Sequence, residues 1–248
     1  MRTVTFQSIL HGIARLAGLD PTTGDLTPQL AAQLTEYINA HVQRADQFEF
    51  WPERMLVQER TVVTTDGDYV PYSATGKTTI YEAKSVNTRH PYRTTRPGEL
   101  AFVPSPNGLQ LEPTSPATVY VWFRPAPPVF TADVWDSGSN YAVGALRYVE
   151  ATGEVYVAIL VSTGQPPATS PTYWSKVDMP AVYALYVKLA SYADYLRAEG
   201  QLEKASAVMG DVANPAPGTA MEALMSARDT AMAQQGQYDS VHVVPYHR

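Results

Sequence analysis

Near the start of the chain, apolar residues recur three to four positions apart: Phe6, Ile9, Ile13 and Leu16. Gln7, His11 and Arg15 fall on the opposite face. This spacing predicts an amphipathic helix, stopped by Gly18 and then Asp20-Pro21. A second helix is predicted from Thr27-Pro28, a capping hydroxyl followed by proline at the first helical position. Leu30, Leu34, Ile38 and Val42 mark one side of it, and Gln29, Gln33, Glu36 and Gln43 the other. Pro52 closes it by disfavouring helical torsions at Trp51. The expectation for residues 1–54 is a helical hairpin.

From Met55 to Arg124 the period shortens to two. "MLVQERTVVTT", "KTTIYEAKSV", "ELAFVP", "GLQLEP" and "ATVYVWFRP" are short β-prone runs parted by Asp-Gly, Pro-Gly, Asn-Gly or proline. They predict a small antiparallel β domain over residues 55–132, which includes the stiff connector "RPAPPVF". Residues 133–177 read as a separate β-rich insert around the run "GEVYVAILV", with Trp135, Tyr141, Tyr148, Tyr156 and Trp174 as its aromatics.

Helix returns after Asp178-Met179-Pro180. Val182, Leu185, Leu189, Tyr192 and Leu196 form an apolar row, widened by Tyr186, Val187, Ala190 and Ala193. Polar residues are confined to a stripe of Lys188, Ser191 and Asp194. So apolar a helix must be covered on several sides. Gly200 breaks it, "QLEKASAVMGDVA" restarts it, and after "NPAPG" the run "TAMEALMSARDTAMAQQ" predicts a last helix, completing residues 178–236. Residues 237–248, "QYDSVHVVPYHR", read as an extended arm with a β-prone Val241-His242-Val243-Val244 core. The expected fold class is α+β, a helical bundle built from both chain ends with an inserted antiparallel β domain and a small β-rich insert.

Composition narrows the classes. The 248 residues are 45% hydrophobic, enough for a sizeable core. The absence of cysteine excludes disulfides, thiolate catalysis and Cys-ligated zinc. A net charge of −6 opposes the broad basic face that nucleic-acid binding requires. No apolar run approaches a membrane span, and Met1-Arg2-Thr3-Val4-Thr5 does not open like a signal peptide, so a soluble protein assembled in a cytoplasm is expected. The 20 prolines and 16 tyrosines suit fixed loops and broad contact surfaces.

Candidate chemistry is sparse. Gly76-Lys77-Thr78 resembles the close of a phosphate-binding loop, but the position of the first glycine is Pro71, which has no N–H. Thr78-Thr79-Ile80-Tyr81 favours a strand where that loop needs a helix. Among His11, His41, His90, His242 and His247 no pair has the spacing of a helical zinc site. The G-x-S-x-G elbow, S-x-x-K and the dinucleotide fingerprint are absent. Glu36, Asp46, Glu49 and Glu53 run along or just past one helix and read as a solvated face. No enzyme activity, metal or cofactor is expected.

Two resemblances sharpen the picture. "FQSILHGIARLAGLD…LTPQLAAQLTEYINAHVQRADQFEFWPE", with Tyr37-Ile38-Asn39 and Trp51-Pro52-Glu53, resembles the phage head–tail connector, or adaptor, proteins. The likeness continues through "VYVWFRPAPPVFT" and "YVKLASYADYLRAEGQLEKA" to "AQQGQY", in that order over most of the chain. It implies a structural virion protein in the neck, forming a twelve-fold homo-oligomeric ring between the portal protein and a downstream neck or tail protein. DNA passes through such a ring without sequence-specific binding, and no membrane is involved. The docking arm would be Val241, His242, Val243, Val244, Pro245, Tyr246 and His247, and the subunit interface Leu185, Tyr186, Leu189, Tyr192 and Leu196. A gatekeeper ring at the neck of a short-tailed phage is an alternative of the same kind.

The second resemblance is local. "YAVGALRYVEATGEVYVAILVSTGQPPATSPTYWSKV" is similar to the small carbohydrate-binding modules of chitinases, through Tyr141-x-x-Gly144, Val155-Tyr156-x-Ala158, Gly164-x-x-Pro167 and Trp174. It implies an alternative function, a carbohydrate-binding virion protein touching the host surface through Trp135, Tyr141, Tyr156 and Trp174. Those modules stack sugar on aromatics just before the Thr-Gly, where this chain has Ile159-Leu160-Val161. The same four aromatics can instead serve as the insert's miniature core.

Overall fold

The computed structural model describes residues 2–65, 67–93, 98–112 and 116–240. Among the described residues there are five α-helices: α1 (Phe6–Leu16), α2 (Pro28–Phe48), α3 (Ala184–Ala198), α4 (Leu202–Met209) and α5 (Ala220–Ser240). Between them lie several small antiparallel sheets. The chain divides into two compact units: Met1–Glu49 with Pro127–Met232, and Phe50–Ala126 with the chain from Ala233 onward.

In the first unit, both early helices begin where a threonine can cap them. Thr5 Oγ1 accepts from the Ser8 N–H at 3.2 Å, and Thr27 Oγ1 accepts from the Leu30 N–H at 3.3 Å, with Pro28 at the first position. Neither helix packs chiefly on the other. Both lean on α3, as does α4. Gly12 permits close approach of α1, because a Cβ there would meet the Lys188 side chain at 2.9 Å. α3 turns Val187, Ala190 and Ala193 inward, all fully buried, and these small side chains let its neighbours in.

The start of α1 is bound to strand structure. Phe6 stacks on Phe130 with ring centroids 5.4 Å apart, and meets Tyr148 edge-on at 5.6 Å. Gln7 N–H donates to the Gly153 carbonyl at 3.0 Å, and Gly153 has φ +69° with Gln7 where a Cβ would stand. A larger residue at that turn would be strained and would clash. Thr3–Val4 pairs with Met179–Pro180, which a 3-10 turn at Ala181–Tyr183 joins to α3. Asn39 clamps α2 to the last residue of the proline connector, its Nδ2 donating to the Phe130 carbonyl at 2.9 Å and its Oδ1 accepting from the Phe130 N–H at 2.8 Å.

These contacts overturn the expected bundle of helices drawn from both chain ends. The architecture is mixed α/β, with a large β content. Strands from residues 133–177 share a unit with α1, α2 and α3. The three-stranded sheet there runs Leu146–Val149, Glu154–Ala158, Trp174–Val177, and Asn140–Tyr141 pairs with Ser162–Thr163. The apolar period correctly marks a face on α1, but carries no information on what covers that face. Here the cover is aromatic and partly strand-borne. The arm expected from residue 237 also starts too early, because α5 continues through Ser240. Once a helix is nucleated each further residue adds a bond at little cost, and the first dense β-branched run begins only at Val241.

The second unit places two sheets against one core. A four-stranded sheet runs Leu56–Thr61, Thr118–Arg124, Glu82–Asn87, Glu99–Leu100, and a three-stranded one runs Tyr69–Pro71, Gly108–Leu111, Phe102–Ser105. Alternation on Thr118–Arg124 sends Val119, Val121 and Phe123 inward, where they join Val70, Val86, Leu109 and Leu111. Trp122 lies on the opposite face, with the Lys84 ammonium 4.3 Å from its ring centroid. The register slips between Ala83 and Ser85, a bulge beside that lysine.

Phe6 is fully buried and joins helix to strand in the first unit. Phe6→Ala is therefore expected to cost about 3–5 kcal/mol, read as a lowered denaturant midpoint in circular dichroism. A loss below about 1 kcal/mol would refute its role as a keystone.

Candidate functional site

The helix expected to form a subunit interface has two unlike faces. Of the five residues assigned to that interface, Tyr186 and Leu196 are buried within the structure at 1% and 3% exposure. Leu185 is 53% exposed, while Leu189 and Tyr192 are half-buried. Leu185, Leu189 and Tyr192 sit at i, i+4 and i+7, so they form one outward line. The polar stripe of the same helix does not face water as a stripe should. Ser191 is fully buried, Lys188 lies along Gly12, and Asp194 is engaged by a buried histidine.

That histidine organises the seam between α2 and α3. His41, 1% exposed, brings Nε2 to 2.7 Å from Asp194 Oδ2 and Nδ1 to 3.2 Å from the Tyr186 hydroxyl. An ionised carboxylate only accepts, so Nε2 carries the proton and donates to Asp194, leaving Nδ1 to accept from Tyr186 O–H. Arg197 donates to the other oxygen of Asp194. One turn on, Tyr183 O–H donates to Asp46 Oδ1 at 3.3 Å, and Asp46 is fully buried. The solvated carboxylate face expected along α2 therefore fails at Asp46, which is a partner for a tyrosine 137 residues away. Tyr–His–Asp order resembles a proton relay, but here the imidazole is enclosed, and its two hydrogen bonds tie α2 to α3.

Burial lowers the His41 imidazole pKa from its ordinary value, against the opposing pull of Asp194. Burial likewise pushes the Tyr186 phenol up, with Arg44 pulling the other way. Among the described residues no cluster of three or more histidines and carboxylates could hold a metal.

In residues 133–177 the four candidate sugar-binding aromatics divide. Tyr141 and Trp174 are buried and meet edge-on at 5.4 Å. The Tyr141 hydroxyl accepts from the Asp136 N–H and donates to its carbonyl, and Trp174 Nε1 donates to the Gln165 carbonyl at 3.0 Å. Both side chains are thus enclosed, with their polar ends bonded internally. Trp135 and Tyr156 are half-buried around the same cluster. The outermost side chains are aliphatic, with Ile159, Leu160 and Val161 each at least 45% exposed. The proposed docking residues Val241, His242, Val243, Val244, Pro245, Tyr246 and His247 lie outside the described residues.

The His41 network had no local sequence signal, since its members are 145 and 153 residues apart. A histidine on the apolar side of a helix, facing a tyrosine-rich helix with one aspartate, was the available hint. Compared with known proteins, the chain matches no family model and no curated sequence. Among the described residues no helix is long and apolar enough to cross a membrane.

The unfolded chain protonates His41 near its ordinary 6.5, whereas the folded chain keeps it neutral to lower pH. The stability linked to it is complete above that value and declines as pH falls toward the folded pKa. Melting temperature is expected to fall between about pH 7 and about pH 5, with a shallower slope in His41→Gln. Equal slopes would show that another group carries the pH response.

Proposed function

We propose that this protein is a structural, non-enzymatic subunit of the head–tail connector ring of a tailed phage, placed at the virion neck between portal and tail. The observation that carries the reading is the outward line Leu185–Leu189–Tyr192 on a helix whose other faces are packed by α1, α2 and α4. A single exposed leucine is ordinary, but three aligned apolar residues on the central helix of a unit suit a second copy of the chain. The ordered resemblance of its sequence to connector proteins supplies the ring and its place. The net charge of −6 fits a channel wall past which DNA slides without adhering. The neighbours proposed are further copies of the chain, the portal protein and a downstream neck or tail protein.

The double variant Leu185→Asp, Leu189→Asp is expected to stay folded, because Leu185 is exposed and Leu189 half-buried. Ring formation and attachment to portal-bearing heads should weaken at least about tenfold, the usual effect of losing a central interface anchor. Analytical ultracentrifugation and co-sedimentation with heads measure the two. Deleting residues 241–248 should spare the fold and abolish attachment. Normal attachment by both altered proteins would overturn the proposal.

A further inference from the structure

The charge of the chain is unevenly spread. Residues 50–126 hold eight lysines and arginines against seven aspartates and glutamates, so the excess negative charge lies in the rest of the sequence. Within this second unit the stretch from Ala83 to Gly98 carries Lys84, Arg89, Arg93 and Arg96 and no carboxylate. It joins strand Glu82–Asn87 to strand Glu99–Leu100.

Aromatic contacts hold this connection against the outer face of the four-stranded sheet. Tyr120 and Trp122 stand two apart on strand Thr118–Arg124 and share that face. His90 meets Tyr120 edge-on with ring centroids 5.3 Å apart, and Tyr92 meets Trp122 edge-on at 5.8 Å. Pro91 lies in a turn whose His90 carbonyl accepts from the Arg93 N–H at 3.0 Å. Thr88 N–H donates to the Gly98 carbonyl at 2.9 Å and closes the loop at its base. The chain at Arg89 and Arg93 is thereby anchored, while both side chains stay exposed. Neither guanidinium is paired with a carboxylate among the described residues. The Lys84 ammonium, over the Trp122 ring, adds a third charge beside the same aromatic. On the flanking strands Glu82 is taken by Arg124, and Glu99 lies opposite Asn87 at the base of the loop.

We propose that this anchored tip binds the phosphate backbone of duplex DNA, with Arg89 and Arg93 each meeting a phosphate. A β-turn brings its ends within about 7 Å, and each strand of a duplex presents a charge every ~3.4 Å of axis, so one strand can meet both arginines. The planar guanidinium fork matches phosphate oxygens two at a time. The rings of His90, Tyr92, Tyr120 and Trp122 are engaged with one another, which leaves cations rather than a stacking platform for unpaired bases. Negative charge on the rest of the chain repels DNA elsewhere and directs it to this tip. Two phosphate contacts make a weak, salt-labile complex, compatible with DNA that moves past.

Fluorescence anisotropy of a labelled duplex oligonucleotide of arbitrary sequence, titrated with the full chain, tests this without rings or phage heads, so it can fail while the connector reading stands. Saturable binding is expected at about 50 mM salt, with log K falling against log salt at a slope of about −2. Arg89→Ala should reduce that slope by about one, and the double variant Arg89→Ala, Arg93→Ala should weaken binding at least about tenfold. Lys77→Ala, at an exposed cation outside this connection, should leave binding unchanged. No saturable binding, undiminished binding by the double variant, an equal loss in Lys77→Ala, or equal binding of polyglutamate would each overturn the assignment.

Discussion

Enclosure of one helix governs the first unit. α3 carries Val187, Ala190 and Ala193 at zero exposure, and α1, α2 and α4 all reach it. Side chains this small let helix axes come close, so the fit depends on shape more than on hydrophobic bulk. The polar groups brought in at the same time must then be satisfied with one another. His41 with Asp194 and Tyr186, and Asp46 Oδ1 with Tyr183, meet part of that demand, while the buried Ser191 hydroxyl on α3 meets no hydrogen-bond partner. Buried polar pairs of this kind add little net stability but penalise any slip in helix register, because a slip leaves each member alone in an apolar seam.

Local structure was largely legible in the sequence. The cap at Thr27-Pro28, the break at Gly200 and the alternation through Val119, Val121 and Phe123 follow from spacing and residue type. What spacing cannot state is which surface covers an apolar face. Phe6 belongs to a helical period, yet its partners are Phe130 and Tyr148. The bundle inferred from the helix pattern was therefore wrong in architecture although the positions of α1 and α2 were read correctly.

The candidate site was legible to a similar degree. The row Leu185, Leu189 and Tyr192 emerged from periodicity, but Tyr186 and Leu196 on the same helix are enclosed. Composition alone treats an aspartate on a helix as a solvent group, and Asp46 and Asp194 break that rule through tyrosine and histidine partners remote in sequence. The tip at Arg89 and Arg93 was hidden for a different reason. Its cations are plain in the sequence, but their anchoring on Tyr120 and Trp122 is visible only once the strand's outward face is known.

The two units also differ in continuity along the chain. Residues 50–126 of the second unit are contiguous, whereas the first needs residues from both sides of them. On a ribosome, the β sheets around Phe123 are complete while α1 and α2 still await α3, more than a hundred residues downstream of α2. Their apolar faces stay uncovered through that interval, a period in which chaperones or a nascent neighbour have access to them. The pairing of Thr3–Val4 with Met179–Pro180 then joins segments about 175 residues apart, so completing the first unit requires a contact of long sequence separation, the kind that carries the largest closure entropy.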